Sequence, residues 1–215
     1  MKVRAKDAAR KEKILKKLRR SLVEKTKEPF PSIDYESNVF TSFNDMPEIE
    51  FAQRFTDQGG KFVFCESYLD LAENLNFLIN DNKWEAIYCQ NKELTDALIK
   101  ENFKSFHKDG NPVEPKVCLT TCELLVARTG SILITEHQVK YLHQIANAEV
   151  HLVVAKSIQL VEEVKDALKK IKTTYTNNYP AYLTFIAGPS KTSDLESTTV
   201  IGAQGPREVY LFLMD

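Results

Sequence analysis

The segment Gly188-Pro189-Ser190-Lys191-Thr192-Ser193-Asp194-Leu195-Glu196 sets hydroxyls, one lysine and two carboxylates between two apolar runs. Loops held between buried strands are where a rigid scaffold presents its chemistry. Backbone N–H groups around Ser190–Ser193, helped by the Lys191 charge, can hold a carboxylate or a phosphate. Equally, Asp194 and the hydroxyls can satisfy the loop's own backbone. A Walker A loop is ruled out. It requires Gly-x-x-x-x-Gly-Lys-Ser/Thr so that the second glycine lets the backbone wrap a phosphate. Here Ser190 stands in that place and the first glycine is missing.

A second candidate is Glu136, which follows the apolar run Ser131–Thr135. If that run is a strand of a parallel sheet, Glu136 lies at the carboxyl edge, where α/β proteins collect ligands, and it can act as nucleophile or base. Other chemistries lack their motifs. No Gly-x-Gly-x-x-Gly follows a strand, and no Gly-x-Ser-x-Gly marks a serine nucleophile. His107, His137, His143 and His151 form no His-Glu-x-x-His pattern, and His151, opening an apolar strand, reads as a packed or edge residue. Cys65, Cys89, Cys118 and Cys122 include one C-x-x-x-C pair with no further ligand nearby in sequence. They read as structural thiols of a reducing cytoplasm, with no metal site.

The elements that must position these groups follow from periodicity. A helix near 46–57 stops at Gly59-Gly60, and Lys61–Cys65 is a short buried strand. Ser67 with Asp70 opens a helix through Leu71, Leu75, Leu78 and Ile79. Ala86–Cys89 is a strand, and Asn91 caps a helix carrying Leu94, Leu98 and Ile99. Asp109-Gly110-Asn111-Pro112 is a turn. Val117–Leu119 is a strand, and a short helix is predicted over 121–127. Thr129-Gly130 turns into strand Ser131–Thr135, and a helical stretch near 138–146 leads to strand His151–Ala155. Ser157 is expected to cap a long helix through Ile171, with Leu160, Val161, Val164 and Leu168 inward. Strands 181–187 and 209–214 complete the pattern. Short apolar strands alternating with helices predict an α/β domain with a largely parallel sheet covered on both faces. The terminal hairpin is expected to fold over the carboxyl edge of that sheet and meet the Thr129 turn in an electropositive niche.

A net charge of −1 conceals an asymmetry, because residues 1–28 hold twelve Lys/Arg against four Asp/Glu. Ile14, Leu15, Leu18 and Leu22 fall at helical spacing, so residues 1–28 read as a basic amphipathic helical arm. Without interleaved aromatics it does not suit nucleic acid, and it fits an acidic surface better. Residues 29–44 read as a linker with aromatic anchors, and 45–215 as the α/β domain. No apolar run reaches the ~20 residues of a membrane span.

Three stretches together resemble the LUD-domain family. Gly188-Pro-Ser-Lys-Thr-Ser-Asp-Leu-Glu196, followed by Gly205-Pro-Arg-Glu208, is similar to its Gly-Pro-Ser-Arg-Thr-Ala-Asp-Ile-Glu and His-Gly-Pro-x-Glu pattern. Ala127-Arg-Thr-Gly-Ser131 is similar to its Thr-Gly-Ser/Thr turn, and Ala9-Arg-Lys-Glu-Lys-Ile-Leu-Lys-Lys-Leu-Arg19 to its opening helix. Departures are Gln204 for a frequent histidine, Arg128 for a common glutamate, and a region 136–150 without the family's Arg-x-x-Ser-x-x-Pro-Pro. The resemblance implies a sheet of the NagB/RpiA/CoA-transferase-like type. It also implies an accessory part in oxidising L-lactate, or a similar 2-hydroxy acid, to pyruvate. The iron–sulfur clusters would then sit on partner proteins, because this chain lacks cluster-binding cysteine spacing. The expected ligand-binding set is Thr129, Gly130, Ser131, Gly188, Ser190, Lys191, Thr192, Asp194, Glu196 and Gly205. Two further readings stand beside it: a stand-alone isomerase or transferase acting on a phosphosugar, CoA ester or folate through Glu136, and a small-anion-binding or regulatory module.

Overall fold

The computed structural model describes residues 2–23, 32, 34, 40, 42–107, 115–193 and 199–215. The chain divides into two compact units, Met1–Ser42 and Phe43–Asp215. The first contains helix α1 (Lys2–Val23). The second runs α2 (Pro47–Asp57), β1 (Lys61–Cys65), α3 (Tyr68–Asn82), β2 (Tyr88–Cys89), α4 (Lys92–Lys100), β3 (Val117–Thr121), β4 (Leu124–Val126), β5 (Ser131–Thr135), α5 (Leu142–Ala146), β6 (Val150–Lys156), β7 (Leu160–Val161), α6 (Val164–Thr174), β8 (Leu183–Ile186), β9 (Lys191–Ser193), β10 (Thr199–Ile201) and β11 (Glu208–Met214).

Local chemistry sets the boundaries. Pro47 opens α2, where its missing N–H costs nothing. Ser67 Oγ accepts from Asp70 N and Asn91 Oδ1 from Leu94 N, so α3 and α4 start where their caps stand. The α3 helix ends on Lys83 in the left-handed region, φ 55.

A five-stranded sheet in the order β1-β11-β6-β3-β2 is parallel throughout. Its central strands alternate between two cores, the period of two that a sheet imposes. Leu152 and Val154 of β6, with Phe212 of β11, pack under α3 and α4 beside Leu71, Leu75 and Leu98. Val153, Val209 and Leu211 face the other way, toward Phe51 and Phe55 of α2 and toward Leu125, Ile132 and Ile134. Each fully buried Phe or Leu contributes roughly 1.5–3 kcal/mol of apolar transfer. A second sheet, β7-β4-β5-β8, closes that core, and α6 covers its outer face through Ala167 and Ile171 against Leu124, Val126 and Leu133.

Four expectations need correction. Residues 121–127 are not helical: Leu124–Val126 pairs antiparallel with Ser131–Leu133, and all three residues are buried because the strand is covered on both faces. The helix expected from Ser157 begins only at Val164. Residues 157–159 form a 3-10 turn, and Leu160–Val161 pairs with Leu125–Val126, so these two apolar residues serve a strand. The stretch 138–146 is helical only over Leu142–Ala146, because Thr135 and Gln138 close a turn ahead of it. Finally, β5 lies in the second sheet, antiparallel to β4 and β8. The turn expected at 109–112 lies outside the described residues.

Candidate functional site

The two segments singled out by sequence do meet, and Gln58 at the end of α2 joins them. Its amide donates to Thr129 O at 2.7 Å, while its own carbonyl accepts from Lys191 Nζ at 2.6 Å. Arg54 Nη1 donates to Arg128 O at 3.1 Å. Glycines permit this approach. Gly130 (φ +55) sits where a Cβ would fall 2.6 Å from Phe55 N, and at Gly188 (φ +89) it would fall 2.8 Å from Gln58 O. The Lys191 ammonium thus caps the negative end of α2.

This junction lies at the amino edge of the parallel sheet, not the carboxyl edge. Gln58–Gly60 immediately precedes β1, and the loop bound to Ser190 immediately precedes β11. Ser190 N donates to Pro206 O at 2.8 Å, its Oγ to Gln204 O at 2.6 Å, and Gly202 N to Ser190 O at 2.9 Å. Gly205 (φ +125) packs against Ser190 Cβ at 3.0 Å from an added Cβ. Thr129 Oγ1 and Ser131 Oγ share a 2.6 Å hydrogen bond. Thr192 pairs with Val200 in the β9–β10 hairpin, and Asp194 and Glu196 lie outside the described residues. Beside the hairpin, a cleft of about 630 Å³ is lined by Asn147, Glu149, Gly202, Gln204, Gly205 and Arg207.

At the carboxyl edge, a second cavity of about 380 Å³ is lined by Gln90, Asn91, Glu136, His137, Gln138 and Lys140. Glu136 therefore reaches the expected edge, although its strand belongs to the other sheet. Gln90 and Asn91 follow β2 directly. The turn is braced by side chains. Gln138 Oε1 accepts from Thr135 N and Oγ1, and its amide donates to Glu123 at 2.5 Å. Tyr175 donates to the same carboxylate at 3.0 Å and stacks on His137 with centroids 4.5 Å apart. Burial, then the Glu123 hydrogen bond, pushes the Tyr175 phenol up to about 12. Tyr182 donates to Val139 O, and burial followed by the Glu136 charge raises its phenol.

Between the two sheets, His151 is fully buried, with Nε2 2.8 Å from Thr120 Oγ1 and Nδ1 without a hydrogen bond. Burial pushes its imidazole down to about 3, so it is neutral. Burial also raises the cysteine thiols, Cys65 to about 11 and Cys118 to about 12. Among the described residues no group of three or more His, Cys, Asp or Glu converges on one point. No helix there is long and apolar enough to cross a membrane.

The family model of the LUD domain matches residues 50–214, from α2 through β11. The chain belongs to the LUD domain family. Among curated relatives, Lactate utilization protein C of Deinococcus radiodurans is 26% identical over 98 residues, 45% of each chain. Lactate utilization protein C 1 of Bacillus mycoides is 26% identical over 100 residues, 45% of this chain and 43% of that one. The matched part thus spans less than half the length of these relatives. A crystal structure of a DUF162 family protein from Deinococcus radiodurans superposes with a TM-score of 0.59 at 14% identity, covering 79% of this chain and 96% of the other. That likeness concerns the fold.

Sequence reasoning passed over Gln58, Arg207 and the Glu123–Tyr175–Gln138 brace. Gln58 stood just before Gly59-Gly60, and Arg207 stood inside the quoted Gly205-Pro-Arg-Glu208 motif. Glu123 was hidden by the helix expected around it.

The Arg128 departure has a local partner. Its guanidinium pairs with Glu163 at 2.8 Å, with both side chains 15% exposed, and lies 4.2 Å from the Phe43 ring centroid. The charge placed before the Thr129-Gly130 turn is therefore matched from the start of α6.

Proposed function

We propose that this LUD-domain protein serves in the utilization of L-lactate or a similar 2-hydroxy acid, as a non-redox accessory subunit in the cytoplasm. It binds a small anion at the amino edge and works with partner proteins that carry iron–sulfur clusters and transfer the electrons. The observation that carries this reading is the family match from α2 to β11, with curated relatives named for lactate utilization. The glycine-built junction between Thr129–Ser131 and Gly188–Lys191 supports it as the common scaffold of the motifs. Deleting the gene in a host without a paralogue is expected to abolish growth on L-lactate as sole carbon source while sparing growth on pyruvate. Equal growth on both would refute the role. Affinity purification from the native cell is expected to bring down an iron–sulfur protein, seen by its visible absorbance.

One observation favours a second reading, that of an isomerase or transferase. Glu136, His137 and Lys140 line one cavity beyond the carboxyl end of β2, which places a carboxylate, an imidazole and an ammonium together. Turnover of a phosphosugar, CoA ester or folate by the pure protein, lost in Glu136→Gln, would establish it.

A further inference from the structure

Three cations along the amino edge are committed. Lys191 Nζ is bound to Gln58 O, Lys61 pairs with Glu208 at 2.8 Å and Tyr210 Oη at 2.7 Å, and Arg54 pairs with Glu50 at 3.0 Å. Arg207 differs. Its backbone N–H donates to Glu149 O at 2.8 Å, but its guanidinium is in no ion pair among the described residues. Its stem is nevertheless placed. At Gly202 (φ +76) a Cβ would fall 2.1 Å from Arg207 Cγ and 3.1 Å from Nε, so the arginine runs across a surface only glycine leaves open. Ser190 holds the same loop through Gln204 O and Pro206 O. The hairpin motif thus fixes a loop whose charged member is exposed to the 630 Å³ cleft, a size within the range of small-molecule sites.

We infer that this cleft recognises a small monocarboxylate carrying a hydroxyl, with Arg207 as the anion-binding cation in place of Lys191. A guanidinium fork matches a planar carboxylate with two parallel hydrogen bonds. The Gln204 and Asn147 amides line the same space and supply donors and acceptors at its wall. Glu149, also in the lining, repels a dianion such as phosphate more strongly than a monocarboxylate and accepts a hydrogen bond from a hydroxyl. The choice of a hydroxy acid rests on the role proposed above, whereas the Arg207 site rests on the loop geometry alone.

Isothermal titration of the full chain with L-lactate, propionate and inorganic phosphate tests the site. L-lactate is expected to bind, propionate about tenfold more weakly for want of the hydroxyl, and phosphate not measurably. Arg207→Ala is expected to weaken L-lactate at least about tenfold at an unchanged melting temperature, with Arg207→Lys intermediate because a point charge lacks the fork. Undiminished L-lactate binding by Arg207→Ala, a preference for phosphate, or no L-lactate binding would overturn the inference. The growth test separates the two claims. Full rescue of a deletion strain by Arg207→Ala would count against the site and leave the role standing. Unaltered growth of the deletion strain, with Arg207-dependent binding intact, would count against the role and leave the site.

Discussion

The two edges of the parallel sheet are joined to the rest of the molecule by different means. At the amino edge, glycines allow close approach: Gly130 meets the backbone of Phe55 and Arg54, Gly188 that of Gln58, and Gly205 the side chain of Ser190. At the carboxyl edge, side chains span the gaps: Glu123 ties Tyr175 to Gln138, and Tyr182 reaches Val139. A glycine contact tolerates no added atom, so the amino edge keeps its sequence signature. A side-chain brace can be rebuilt from other residues, so the carboxyl edge can diverge in sequence while preserving a cavity. The family-like motifs accordingly fall on the amino edge, although Arg128 and Gln204 depart from the pattern there, and the departures at 136–150 fall largely around the carboxyl-edge turn.

The largest effect expected from this contrast is at Gly130. Gly130→Ala places a Cβ 2.6 Å from Phe55 N and 2.7 Å from Arg54 C at φ +55, with no flexible side chain to give way. A loss of about 3 kcal/mol is expected from the urea midpoint. A loss under about 1 kcal/mol would show that the glycine junction is loose. Next comes the partly buried Arg128–Glu163 pair, where Arg128→Ala is expected to cost about 2 kcal/mol through the lost ion pair and the Phe43 contact. A double-mutant cycle with Glu163→Ala checks that most of this is shared. At the carboxyl edge, Tyr175→Phe removes the hydrogen bond to Glu123 and is expected to cost only about 1 kcal/mol in the same assay. The smallest effect is at Glu136. Glu136→Gln is expected to shift stability by less than about 0.5 kcal/mol and to leave L-lactate binding unchanged. A loss of binding there would move the ligand to the opposite edge.

The core between the sheets carries its own pH signature. The folded-state pKa of His151 is depressed toward about 3 by burial, below its usual unfolded value of 6.5. The unfolded chain therefore binds a proton first, so stability is full above about 6.5 and falls as pH drops from there toward 3. Urea midpoints of the native chain and His151→Gln, measured from pH 7 to pH 4, should converge on acidification. Parallel curves would assign the acid sensitivity to other groups.

Much of the fold was legible in the sequence. Gly59-Gly60, the Ser67 and Asn91 caps, and the apolar runs of β6 and β11 each follow a local rule and stand in the structure as read. The failures share one cause. Leu124–Val126 and Leu160–Val161 are short apolar pieces whose state is decided by pairing across 35 residues, and no local period distinguishes such strands from buried helix. Missing that second sheet put the strand that leads to Glu136 in the parallel sheet. The hairpin was expected at the carboxyl edge and lies at the amino edge, because a motif between two strands does not reveal the strand order around it. Gln58 was invisible for a related reason: its role comes from two partners 71 and 133 residues away.

Mapping amide shifts of the ¹⁵N-labelled full chain during titration with L-lactate tests the central claim directly, because it reports both edges at once. The account predicts saturable shifts at Asn147, Glu149, Gln204, Gly205 and Arg207, with Gln90, Asn91 and Glu136–Lys140 still. Saturable shifts confined to the Gln90 and Glu136 side would contradict it.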